Sequence, residues 1–82
     1  ITLRMFLSNK NSVRTDGVGD LYRCAEKLDK GNIDMGMDFY QMAKNKLGKM
    51  VSVGLTRKNA EENSKFWAEM VLDEYMRLKW VV

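Results

Sequence analysis

The chain has no histidine, no proline and one cysteine, Cys24, and nowhere does it carry a long uninterrupted apolar run. Each absence excludes something. Without histidine, the usual general base near neutral pH is missing, and so is the commonest metal ligand. A single cysteine cannot close a disulfide within the chain, which argues against a disulfide-built secreted domain and for a reducing compartment. Without proline, nothing in the sequence forces a helix to stop, so long helices and tight connections are permitted. A transmembrane helix needs roughly 20 consecutive apolar residues, and none is present.

Catalytic spacings are missing too. No P-loop, G-x-S-x-G or H-E-x-x-H pattern occurs. The DGVGD stretch at 16–20 contains G-x-G but lacks the third glycine and a preceding hydrophobic strand, so it reads as a loop with a helix cap. The carboxylates do not fall at calcium-loop intervals. The expectation is a protein that is not an enzyme and binds no metal or cofactor.

What is present is 82 residues, 45% apolar and 30% charged, with seven methionines and a net charge of +3. Such a composition folds, but a chain this short buries only about 60–65% of its unfolded surface. It has to gain stability from close packing or from a partner. Methionine serves either as filler in an irregular core or as an adaptable contact surface, and composition leaves both readings open.

Periodicity predicts a mainly α fold: a small three-helix domain behind an extended N-terminal arm. Residues 1–7 (ITLRMFL) alternate in strand fashion and are followed by a polar, turn-rich stretch, so 1–16 reads as arm and loop and 17–82 as the helical part of one domain. The first helix is expected at 17–30, capped by Asp16, with Val18, Leu21, Tyr22, Ala25 and Leu28 on its apolar face. The second runs from about 34 to 48 or 52, capped by Asn32 or Asp34, with Met35, Phe39, Met42, Ala43, Leu47 and Met50 as its stripe. The third is expected as one piece over 60–80, opened by Asn59 and Glu62 in a capping-box arrangement. A short β-pairing of residues 1–7 with 49–55, where Val51 and Val53 alternate, is the α+β variant.

The third helix is apolar around most of its circumference. Phe66, Trp67, Met70, Val71, Tyr75, Leu78 and Val81 share one broad face, whereas Leu72, Met76 and Trp80 lie on the other side. One small core cannot satisfy both. Leu3, Met5, Trp67, Leu72, Met76 and Trp80 are therefore the expected partner-binding residues. Glu74 and Lys46 each fall within an apolar face, and a buried charge needs a partner, so the two are expected to pair with each other or each to meet a charge on another chain. Cys24, with Asp20 one turn earlier, is the only site where a covalent adduct, such as a thioether-linked tetrapyrrole, finds a thiol and a carboxylate on one helix face.

Charge is unevenly placed. Residues 34–58 hold five cations and two anions, a balance of +3, and residues 59–82 hold three cations and five anions, a balance of −2. The basic flank suits phosphate or an acidic partner. Aromatics do not interleave with it as a single-strand platform requires, so nucleic acid is an unfavoured partner. The leading expectation is a non-catalytic structural, linker or accessory subunit whose partners are the protein subunits of a larger complex. The alternatives are a small basic nucleic-acid-associated protein and a linker carrying a pigment on Cys24. Because the chain starts at Ile1, either a precursor was processed or this is a fragment. A processed precursor points to an organelle matrix or stroma, reached after removal of a targeting peptide.

Overall fold

The computed structural model describes the backbone of residues 2–81 and the side chains of residues 13–81. Four helices follow in order: α1 (Thr2–Asp29), α2 (Ile33–Leu47), α3 (Arg57–Glu62) and α4 (Ser64–Leu78). A single 3-10 turn, Gly48–Met50, and an irregular stretch over 51–56 join α2 to α3. The mainly α fold expected from periodicity is the fold observed, and there is no strand among the described residues.

The N-terminal arm is a correction. From Thr2 the backbone belongs to α1, a continuous helix of 28 residues. Asp16 lies inside it, exposed, rather than at its start. The β-pairing with 49–55 is absent for a physical reason: the N–H groups of Ser52 and Val53 donate to the Glu74 carboxylate instead of to a neighbouring strand.

Local chemistry sets the helix ends. At the end of α1 the N–H of Asn32 donates to the Lys27 carbonyl at 2.8 Å and that of Gly31 to the Leu28 carbonyl at 3.0 Å, with Gly31 at φ +79°. This is a Schellman closure, which favours glycine in the left-handed position. Asn32 then accepts from the Met35 N–H, so one residue ends α1 and caps α2. The expected single helix over 60–80 is two helices. Thr56 caps α3 by accepting from the Asn59 N–H, and Asn63 caps α4 by accepting from the Phe66 N–H. Asn59 therefore lies in the first turn of α3 and is not a cap.

α1 is the spine, and α2 and α4 pack chiefly against it. The core gathers Val18, Leu21, Cys24, Ala25 and Leu28 from α1, Tyr40, Ala43 and Leu47 from α2, Leu55 and Ala60, and Ala68, Val71 and Leu78 from α4. Leu21, Leu28, Leu78 and Val71 are almost wholly enclosed. Each contributes roughly 1.5–3 kcal/mol by leaving water. The face that α2 buries shares Ala43 and Leu47 with the expected stripe, with Phe39 and Met50 packed partly against the core, but is turned from it. Gly36, Tyr40, Ala43 and Leu47 point inward, and Met35 and Met42 stay outside. Close approach decides this. A Cβ on Gly36 would lie 2.6 Å from Leu28 Cδ2, so only glycine admits Leu28 at that level.

Candidate functional site

Two buried carboxylates organise the polar interior. Asp20, on α1, is 2% exposed and accepts from Lys46 Nζ at 2.8 Å and from Arg23 Nη1 at 3.2 Å. Glu74, on α4, is 6% exposed. Its Oε2 accepts from the Ser52 N–H at 2.8 Å, the Ser52 hydroxyl at 2.9 Å and the Val53 N–H at 2.7 Å, while Oε1 takes the guanidinium of Arg77. Arg77 also donates to the Met50 carbonyl at 3.0 Å, and the Tyr40 hydroxyl donates to the Val53 carbonyl at 2.6 Å. The 51–56 stretch has no secondary structure of its own, and these side chains supply the hydrogen bonds that a ladder would otherwise provide.

The pair expected between Lys46 and Glu74 is thus replaced by two separate ones, Lys46 with Asp20 and Glu74 with Arg77. Helix packing is the reason. The end of α2 lies beside α1 near Gly17, which places Lys46 over Asp20, one turn further along α1. Burial pushes the Glu74 carboxyl up, but the hydrogen bonds from Arg77, Ser52 and Val53 outweigh it and hold the group below the ordinary carboxylate range.

The structure also corrects the covalent-adduct reading. Cys24 is enclosed in the core and its thiol is pushed up to about 12 by burial, which makes it neutral and unreactive. Asp20 is already engaged by two cations. The thiol and carboxylate of that reading are thus an enclosed group and a paired one.

The expected partner residues divide. Leu3 and Met5 lie outside the residues whose side chains are described. Trp67 is half-buried, packed on the core with its ring edge-on to Phe66 at 5.5 Å. Leu72, Met76 and Trp80 are exposed, Trp80 at 81%. Phe66 and Met70, expected on the inner face, are exposed as well, because α4 turns Ala68, Val71, Glu74 and Leu78 inward. None of the six methionines with described side chains is buried: Met35, Met42, Met70 and Met76 are exposed and Met37 and Met50 half-buried. The basic flank is partly consumed internally, Lys46 by Asp20 and Arg57 by Asp34 at 2.6 Å.

Two of the depressions beside α4 are lined by its exposed apolar side chains Leu72 and Met70. One, of about 230 Å³, lies between α1 and α4 over Ala25 and Ala68, walled by Tyr22 and Leu72. The other, of about 400 Å³, lies beside the 51–56 stretch and is lined by Val53, Trp67, Met70 and Arg77 among others. Sequence patterning singled out Leu72 but missed Tyr22, which it placed on the buried face; the only signal was its position at the edge of the α1 stripe. Among the described residues no group of histidine, cysteine and carboxylate side chains could hold a metal ion, and no described helix is long and apolar enough to cross a membrane. No family model, curated protein or solved structure matches this chain.

Proposed function

We propose that this protein is a non-catalytic accessory subunit whose work is to dock other proteins through α4. One observation carries the reading. Of the ten large apolar side chains that are exposed among the described residues, Phe66, Met70, Leu72, Met76, Trp80 and Val81 all belong to α4 or the three residues that follow it. Scattered exposed apolar residues need no explanation, but a concentration on one element marks an interaction surface. The residue types fit: tryptophan anchors interfaces, and methionine adapts to partners of irregular shape.

The buried chemistry supports the same reading. Asp20 and Glu74 are committed to holding the fold, and Cys24 is enclosed, so these three buried groups are occupied by structure.

The test is the native mass of the full chain at its natural abundance. The expected result is elution well above the 9.5 kDa of the single chain. A Leu72→Ser/Met76→Ser/Trp80→Ser variant should return to the single-chain mass with its helical circular dichroism unchanged. A wild-type protein that elutes at the single-chain mass overturns the proposal.

A further inference from the structure

The groove between α1 and α4 combines two features that select one kind of occupant. Its floor is apolar and tight, formed by Ala25 and Ala68, each 5% exposed. At about 230 Å³ it is smaller than the roughly 300–1,000 Å³ of a site for a drug-sized ligand or cofactor, and suits one long side chain. Every charged side chain lining it is a carboxylate: Glu26 and Asp29 from α1, Glu69 from α4. The chain as a whole is basic, at +3, so this is a local reversal of sign. Lys65 engages Asp29 at 3.6 Å, whereas Glu26 and Glu69 form no ion pair among the described residues. The Tyr22 ring, 48% exposed, forms one wall.

We infer that this groove docks a basic amphipathic segment of a partner protein, by inserting one arginine or lysine. The aliphatic stem would lie along the alanine floor, as long cationic side chains do on apolar surfaces. The charged head would reach Glu26 and Glu69 and pass over the Tyr22 ring, a combination of ion pair and cation–π contact. Leu72, at the groove's edge, meets the apolar residues flanking the inserted cation. The inference rests on the docking role proposed above and names the chemistry of the partner.

The probe is a labelled 16-residue helical peptide with a leucine stripe bordered by arginines, titrated into the full chain by fluorescence anisotropy. Its counterpart carries glutamate in place of every arginine. The basic peptide is expected to bind, more weakly as salt rises, and the acidic one not to bind. Glu26→Lys/Glu69→Lys should weaken binding about tenfold, the size expected for two exposed ion pairs. Asp38→Lys/Glu61→Lys makes the same change in net charge away from the groove and should leave binding within about twofold of wild type, so that the local pairs are separated from the overall field. Equal binding of the two peptides, or equal losses in the two double variants, overturns the inference. So does a dimer of the chain alone that Glu26→Lys/Glu69→Lys dissolves, because the occupant is then a second copy. If the native mass is high but the basic peptide does not bind, this inference falls and the docking subunit stands. If the peptide binds a chain of single-subunit mass, the reverse holds.

Discussion

Asp20 and Glu74 are both buried acids, yet they do different jobs. Asp20 joins α1 to α2, two helices that already meet through Leu28 over Gly36 and Leu47 over Gly17. Its partners are long cationic side chains that remain partly in water; the Lys46 side chain is 32% exposed. Glu74 instead holds backbone. Ser52 and Val53 have no helix or ladder to donate to, and the carboxylate is their acceptor. A flexible lysine that loses its acid can turn to solvent, whereas the N–H groups of Ser52 and Val53 are fixed in the backbone and cannot swing to another acceptor. The burial is similar, so the cost of losing each acid is set by how freely its donors can move.

That comparison is easiest to break at Glu74. Glu74→Ala leaves two backbone donors and a hydroxyl without their acceptor, while the half-exposed Arg77 regains water, and should cost about 2–3 kcal/mol. The measurement is urea unfolding followed by circular dichroism, and a loss below about 1 kcal/mol would mean that the 51–56 stretch holds itself. Next is the helix contact that makes Asp20 less critical. Gly36→Ala forces a methyl against Leu28 and should cost about 2 kcal/mol, read from the same transitions. Asp20→Ala should cost only about 1 kcal/mol, because Lys46 and Arg23 regain water. A cost equal to that of Glu74→Ala removes the distinction between the two acids.

Acid sharpens the comparison further. The carboxyl of Glu74 titrates lower in the folded chain than in the unfolded chain. Its contribution is therefore complete above the unfolded value of about 4.3 and is lost as pH falls below that toward the folded value. The stability difference between wild type and Glu74→Gln should be constant from pH 7 to 5 and shrink below pH 4.5 or so. A difference that does not change down to pH 3 contradicts the assignment. The smallest effect is expected on the surface: Trp80→Ser should change stability by less than about 0.5 kcal/mol, since its ring leaves little water on folding.

Much of the fold was legible in the sequence. The 3–4 spacing of Val18, Leu21, Ala25 and Leu28 identified the buried face of α1, and Asn32 was a candidate cap for α2. Glu74 was identifiable as buried because it interrupts an apolar face. Other features were not legible. The polar residues at 8–16 read as a loop because turn formers and exposed helix formers overlap when no proline intervenes. Asn63 was overlooked as a cap because the apolar pattern runs on through it. On α2 the stripe was right at Ala43 and Leu47 but missed Gly36 and Tyr40, since a helix that crosses closely buries its smallest residue and leaves Met35 and Met42 outside.

The sequence by itself therefore determined that the chain is mainly helical, that α1 turns into α2 near residue 32, and that Lys46 and Glu74 required opposite charges. These follow from local spacing and from the cost of burying an unpaired charge. Only the tertiary structure decided which cation meets which acid, that Cys24 is enclosed, and that the apolar side chains of α4 divide between core and surface. Partner choice and exposure depend on how α2 and α4 are set against α1, a relation among residues far apart in the chain.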